Sequence, residues 1–333
     1  MPLNCAVVGL GWWGRRVIEE LADSEVIAVV TAVDPSADAR AWATARGISV
    51  YATLEEALVD GGFGGVIITS PHREHAAQIE AALSAGHHVF SEKPFTTDTA
   101  SAQRVLEMAQ RYGRVVGIGH ERRFEPPIKD VRDAVASGRL GTPLVLEATF
   151  SHDKFLSLPP DNWRLSPVDA PVGPLSATGI HLMDLSIAIF GWPREVWANL
   201  NSDVAPLANG AALAVGIGFA GGGSALISAI LSTPFAMRLC LYGTHGWVDI
   251  RDRTHPEAPT GWDVIARWRG DDEPSVTFVP TARAVRDNLE SWGIAASGGA
   301  SYPVSPEEIL ANVTTFSAIT EAALSGTTVA IPR

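Results

Sequence analysis

The sequence predicts an α/β protein of two domains, the first built on a parallel sheet. Three observations predict it. At 333 residues the chain is too long for one ordinary core and comfortable for two. From the N-terminus to about Gly119, short apolar runs alternate with helical stretches. Beyond about Arg123, strand-like runs follow one another with little but Gly or Pro turns between them. The expected division is 1–122 and 123–333.

Composition narrows the classes. A hydrophobic fraction of 46% with 10 Trp rules out a disordered chain. No apolar run approaches the roughly 20 residues of a membrane span. With 2 Cys there is no disulfide scaffold and no Cys-rich metal site. Cys5 and Cys240 both fall in apolar strand-like runs and read as buried, reduced thiols of a cytosolic protein. The start, Met1-Pro2-Leu3-Asn4, lacks a charged leader and passes at once into a strand, so a cytoplasmic location is expected. A net charge of −12 repels phosphate backbones and argues against nucleic-acid binding. Of 25 basic residues only Lys93, Lys129 and Lys154 are lysines, which singles each one out.

The first elements carry a fingerprint. Residues 3–8 form an apolar strand, Gly9-Leu10-Gly11-Trp12-Trp13-Gly14 follows, and 15–22 read as a helix. A second apolar run, 26–33, ends in Asp34, 20 residues past Gly14. A G-x-G-x-x-G between strand and helix, with an acid at the second strand end, is the dinucleotide-binding pattern. Gly9 allows the turn, Gly11 lets backbone approach the pyrophosphate, and Gly14 lets the helix pack on the strand. The helix N-terminus offers N–H groups and a positive dipole end to the phosphates. Asp34 can accept from ribose hydroxyls and would repel a 2′-phosphate, so NAD is expected over NADP. Arg40, six residues on, is a cation placed to soften that preference.

The alternation continues through a strand at 66–69, a helix at 72–85, a strand at 87–91, a helix at 97–112 and a strand at 114–119. Ligands of such sheets bind beyond the carboxyl ends of the strands. Trp12, Trp13, Ser70, Pro71, His75, Glu92 and Lys93 therefore join the glycines and Asp34 as candidate cofactor residues. Lys93 follows a strand directly, at the rim where a nicotinamide would lie. An ammonium there can hold a substrate hydroxyl and stabilise negative charge on its oxygen.

The second half reads differently. A helix at 126–136 leads to strands at 144–150, 195–200, 211–219, 224–231 and 237–242, the last three expected as an antiparallel meander. Gly221-Gly222-Gly223 reads as a hairpin turn. A helix ending at Phe190 carries His181 and, three residues on, Asp184 on the same side; a last helix runs over 306–324. Trp163 and Arg164 precede a Pro-rich loop and read either as a lid anchor or as a sugar-stacking ring with a hydrogen-bonding guanidinium. His152-Asp153 follows the strand at 144–150 and is a further candidate to face the substrate. His72 and His75 lack a third ligand of suitable spacing, so no metal is expected.

These segments together resemble one family. The glycine loop, Ser70-Pro71 with His75, Glu92-Lys93-Pro94, Arg123-Phe124, Gly138-Arg139-Leu140-Gly141, Trp163-Arg164, Gly179-Ile180-His181-Leu182-Met183-Asp184 and Tyr302-Pro303-Val304-Ser305-Pro306-Glu307-Glu308 look like those of the Gfo/Idh/MocA oxidoreductases, the glucose–fructose oxidoreductase and inositol dehydrogenase group. The resemblance covers almost the whole chain. It implies a Rossmann dinucleotide-binding domain followed by an α/β domain with a large, mostly antiparallel open sheet. It implies hydride exchange between a nicotinamide and a sugar, inositol or related polyol, with Lys93 and His181 as catalytic residues and Trp163, Arg164 and Asp184 beside the substrate. It also implies a homodimer or homotetramer formed through the open sheet face. Two other uses of the same frame remain open: transient oxidation by a tightly held NAD in elimination or glycoside cleavage, and NAD binding without turnover. Three positions depart from the family pattern. Ala177 stands where an Asp is common, His72 where Asn is common after the Pro, and Glu121 where Asn or Gln is usual. Asp184, Asp153 or Thr178 is placed to take over from the missing Asp, unless Lys93 and His181 act alone or the substrate brings its own carboxylate or phosphate.

Overall fold

The computed structural model describes residues 1–204 and 207–333. The chain forms two compact units, Met1–Phe124 with Arg283–Val313, and Glu125–Ala282 with Thr314–Arg333.

The first unit alternates strand and helix: β1 (Leu3–Val8), α1 (Trp12–Glu20), β2 (Ile27–Val33), α2 (Ala37–Thr44), β3 (Ser49–Tyr51), α3 (Leu54–Asp60), β4 (Gly65–Ile68), α4 (His75–Ser84), β5 (His88–Ser91), α5 (Thr99–Tyr112) and β6 (Val116–Ile118). The strands are parallel, in the order β3-β2-β1-β4-β5-β6, the doubly wound arrangement that reverses at β1/β4. Period-two side-chain placement makes two cores. Cys5 and Val7 of β1 face α1 and α2, while Ala6 and Val8 face α3, α4 and α5. Local chemistry sets the helix ends. Thr53 and Glu56 form a reciprocal capping box on α3, Asp98 accepts from the Ser101 N–H at 2.8 Å on α5, and Gly113 ends α5 with φ 62°. The segment α2-β3-α3 is absent from the sequence reading because its strand is three residues long.

The unit is completed by chain from far downstream, which the 1–122 and 123–333 division does not contain. The helix Ala284–Ala296 lays Trp292, fully buried, against β4 and β6. A Cβ on Gly65 would fall 2.7 Å from Trp292, and one on Gly117 would fall 2.7 Å from Phe90 and 2.8 Å from Trp292. The two glycines thus make the recess that the indole fills. β6 is an edge strand, and side chains of the returning segment take up its free backbone groups. Asn288 Nδ2 donates to the Ile118 carbonyl at 2.9 Å, and the Tyr302 hydroxyl stands 3.0 Å from that carbonyl and 3.3 Å from the Ile118 nitrogen.

The second unit holds α6 (Pro126–Ala136), β7 (Pro143–Ser151), α7 (Ile180–Phe190), β8 (Pro193–Asn201), β9 (Ala212–Phe219), β10 (Ser224–Ile230), β11 (Ala236–Gly243), β12 (Gly246–Asp252), β13 (Trp262–Trp268), β14 (Ser275–Val279) and β15 (Val329–Ala330). Its nine-stranded sheet runs β14-β13-β12-β11-β7-β10-β9-β8-β15 and is antiparallel except at β7/β10. The meander expected over β9, β10 and β11 is corrected here: β9 and β10 form a hairpin through Gly222 and Gly223, both at positive φ, but β7 lies between β10 and β11. The five residues between β10 and β11 easily reach across the ~10 Å that one inserted strand occupies, so the short connection looks the same in sequence either way. Residues 180–187 of α7 are all buried. Among the described residues no helix is long and apolar enough to cross a membrane.

Replacing Trp292 by Ala leaves the glycine-lined recess empty. The expected loss is about 3–5 kcal/mol of stability, read from denaturant unfolding midpoints.

Candidate functional site

In the first unit, four loops lie at the carboxyl ends of the adjacent strands β2, β1, β4 and β5. The glycine loop is pinned on both sides. Gly9, at φ 92°, donates from its N–H to the Val33 carbonyl at 2.8 Å, and Thr69 Oγ1 donates to the Gly9 carbonyl at 2.6 Å. A Cβ on Gly14 would fall 1.9 Å from the Gly9 carbonyl oxygen. Residue 14 must be glycine for α1 to start this close to the strand end. Around Gly11, by contrast, a Cβ would meet nothing within 4 Å. Packing does not require that glycine; approach of a ligand does. Gly11 also gives α1 no side-chain cap, and the first turn carries no acid, so its N–H groups face an open cradle suited to phosphate.

Asp34 is fixed in place by backbone. Its Oδ2 accepts from the Leu10 N–H at 2.7 Å and its Oδ1 from the Ser36 N–H at 2.8 Å. Arg40 donates from Nη1 to the carbonyls of Asp34 and Pro35, at 2.7 and 2.8 Å. Trp12 is 59% exposed and its ring centroid stands 5.4 Å from that of Trp13. Ser70 donates to Gln78 Oε1 at 2.6 Å, and Pro71 is exposed.

His75 is placed differently from a ligand-contacting residue. It is fully buried, with Nδ1 2.8 Å from the Pro94 carbonyl and Nε2 2.9 Å from the Ser70 carbonyl, and burial lowers its affinity for a second proton. It braces the loop after β4 against the loop after β5. Glu92 is buried too. Burial and the carboxylate of Glu121 push it up to about 7, against the opposing pull of Trp13 and Lys93. Gly119 makes its room: a Cβ there would fall 2.4 Å from the Glu92 carboxyl. The sequence reading missed this role of Gly119, whose only signal was a glycine closing a strand. Lys93, half-buried, follows on the same loop, and its backbone N–H donates to Glu92 Oε2 at 3.2 Å. Arg123, buried on the turn Glu121–Phe124, donates to Glu308 Oε1 at 2.5 Å.

In the second unit, α7 is entered through a π-turn, Leu175–Gly179, a widened turn that often marks a functional position. Gly179 brings it close to β10, where a Cβ would stand 3.5 Å from that of Ala229. His181 and Asp184 are both buried on α7. Phe150, at the end of β7, is the hub of a ring cluster. Its centroid lies 6.0 Å from His181, 6.3 Å from His152 and 6.0 Å from His255, and His152 lies 5.3 Å from His255. Lys154 ion-pairs with Glu257 and donates to His255 Nδ1 at 3.1 Å. His255 was not legible in the sequence, since only the folded sheet brings the β12–β13 loop beside β7. Arg164 lies over the Trp163 ring at 4.5 Å, so one face of that ring is taken by its neighbour. Ala177 packs on an apolar cluster of Leu165, Leu207, Ala211 and Leu231. Among the described residues no group of three or more His, Cys, Asp or Glu is arranged to hold a metal ion.

Residues 3–120 match the model of an oxidoreductase family described as an NAD-binding Rossmann fold, and residues 128–249 match the GFO/IDH/MocA C-terminal domain. The rhizopine catabolism protein MocA of Rhizobium meliloti is 26% identical over 95% of this chain and 93% of its own. Inositol 2-dehydrogenase of Salmonella typhimurium (strain LT2) is 34% identical over 44% of this chain and 45% of its own. The chain spans about half the length of the curated relatives it matches at 30% identity or more. The aldose-aldose oxidoreductase of Caulobacter crescentus shares the fold, with TM-score 0.86 and 22% identity over 99% of this chain and 100% of that one.

Burial, aided by the charges of His255 and Lys154, holds His152 down to about 4, against about 6.5 in an unfolded chain. Between those values the unfolded chain binds more protons, so stability is full above about pH 6.5 and falls as pH drops towards 4. A His152→Gln variant is therefore expected to lose less Tm than the parent on acidification, by on the order of a few degrees in differential scanning calorimetry.

Proposed function

The chain belongs to the Gfo/Idh/MocA family of oxidoreductases, and from that premise we propose that it is an NAD-dependent dehydrogenase of a sugar, inositol or related polyol. The observation that carries the reading is the uncapped start of α1 behind Gly11, with Asp34 held beside it by the Leu10 and Ser36 amides. Pyrophosphate fits the first and the adenosine ribose the second. A fixed carboxylate disfavours a 2′-phosphate, and Arg40 is already engaged by backbone carbonyls, which supports NAD over NADP.

When bound, the nicotinamide supplies the hydride acceptor. Ser70, Pro71, Trp12, Trp13 and the Glu92-Lys93 loop form the rest of its bed, while His75 acts from behind by fixing two of those loops. Lys93 holds the substrate hydroxyl and offsets charge on its oxygen. His181 takes the hydroxyl proton, with Asp184 three residues along α7 and Trp163 and Arg164 as further substrate contacts. The polyol class rests on the family and on the inositol 2-dehydrogenase relative. A homodimer or homotetramer is supported by the outward sheet face, where Trp197 is 47% and Leu226 53% exposed around a shallow hollow of about 340 Å³.

Purified protein given NAD and a sugar and polyol panel is expected to accumulate NADH. Product without NADH would replace net oxidation by a transient one, and cofactor binding with no product would leave a binding protein. Lys93→Ala and His181→Ala are each expected to lower kcat by on the order of 10²–10⁴ while NAD affinity, followed by fluorescence titration, stays within a few-fold. Near-normal turnover in either variant removes that residue from the mechanism.

Ala177→Asp would set a carboxylate against the Leu165–Leu231 cluster. It is expected to cost about 1–3 kcal/mol and to lower turnover on the best substrate. A clear gain in steady-state turnover on an uncharged polyol would show that the site has not been rebuilt around this alanine.

A further inference from the structure

Glu92 and Glu121 place two carboxyl groups in one confined part of the first unit. The Glu92 carboxyl is buried and occupies the space a side chain on residue 119 would take. Three groups face it. From its own loop comes Lys93, whose N–H donates to Oε2 and whose ammonium pulls towards ionisation. From the turn Glu121–Phe124 comes the Glu121 carboxylate, which opposes it, and from α1 comes the Trp13 indole. Arg122 and Arg123 share the turn with Glu121, but Arg123 is engaged by Glu308. One ammonium therefore meets two carboxyls in a place with little water. Like charges so confined do not both ionise cheaply, and the favoured state keeps one proton for the pair. Glu121 is also the position that departs from the Asn or Gln of the family pattern, so the second carboxyl is a property of this chain.

We propose that Glu92 and Glu121 share one proton in the cofactor-free protein and release it to solvent when the oxidised, positively charged nicotinamide ring binds beside Lys93. The inference rests on the cofactor reading given above. The reduced ring is neutral and gives the pair no reason to ionise, so its binding leaves the proton in place. Cofactor affinity is then linked to pH for one redox form only, and rising pH favours the oxidised cofactor. The proton that leaves is distinct from the one that His181 takes from the substrate. By linkage, whatever proton is released on binding appears as pH-dependent affinity of equal size.

The test uses the whole chain with NAD and NADH separately. Affinities are measured by fluorescence titration from about one unit below to about one unit above pH 7, and protons are counted by calorimetry in two buffers of different ionisation heat. The expected result is an NAD affinity that rises by up to about tenfold per pH unit in the lower part of the range, with up to about one proton released, and an NADH affinity that stays nearly flat. Glu92→Gln and Glu121→Gln should each flatten the NAD profile and bring the proton count towards zero. If Glu92→Gln does not fold, Glu121→Gln decides alone. Equal proton counts for the two nucleotides, or an unchanged count in Glu121→Gln, overturns the shared proton while leaving the cofactor site intact. Binding of neither nucleotide overturns the cofactor reading itself, and the inference with it.

Discussion

The close approach of α1 to the end of β1 is the constraint on which the first unit depends. A Cβ on Gly14 would sit inside bonding distance of the Gly9 carbonyl, and one on Gly9 would press on the Ser70 backbone at 2.8 Å. With neither present, the glycine loop is clasped between Val33 on one side and Thr69 on the other. The helix then begins where the strand ends, and its free N–H groups open at the sheet edge where β4 and β5 also deliver their loops. Asp34 makes the same geometry work from the neighbouring strand, since its carboxylate holds the Leu10 amide while its charge stays at the rim. One steric condition thus places backbone donors, an acid and the Lys93 loop along a single edge.

Behind that edge, buried polar groups do positioning work. His75 spends both ring nitrogens on carbonyls of two different loops, and Glu92 fills the space over Gly119. Such groups are costly to bury unless engaged, and their engagement makes the loops they join stiff. The second unit reaches a similar end by rings: Phe150 touches three histidines that come from α7, from the end of β7 and from the β12–β13 loop.

Local signals in the sequence carried much of this. The spacing from Gly9 to Asp34 specified strand, helix start and acid because each has a short-range cause. Apolar runs bounded by glycine located most of the long strands and helices. What stayed hidden was non-local. Nothing near 231–235 says that β7 slips between β10 and β11, because a short connection serves a hairpin and a split hairpin equally. His75 read as a rim residue because its burial depends on the Pro94 carbonyl, nineteen residues on. Ala177 read as a missing carboxylate; its apolar neighbours come from three separate stretches of chain. Gly65 and Gly117 gave no hint of the Trp292 that they admit.

That last arrangement bears on how the protein is made. The sheet of the first unit can pair all its strands from residues 1–124, yet its recess over Gly65 and Gly117 and the outer backbone of β6 stay uncovered until Asn288, Trp292 and Tyr302 follow. An open parallel-sheet edge is a template for pairing with any other extended chain. A ribosome therefore presents the N-terminal part for the whole time it takes to synthesise the second unit's sheet, with a sticky margin exposed. Chain order, by putting the closing piece after that sheet, makes this margin the stretch most in need of a chaperone's shelter.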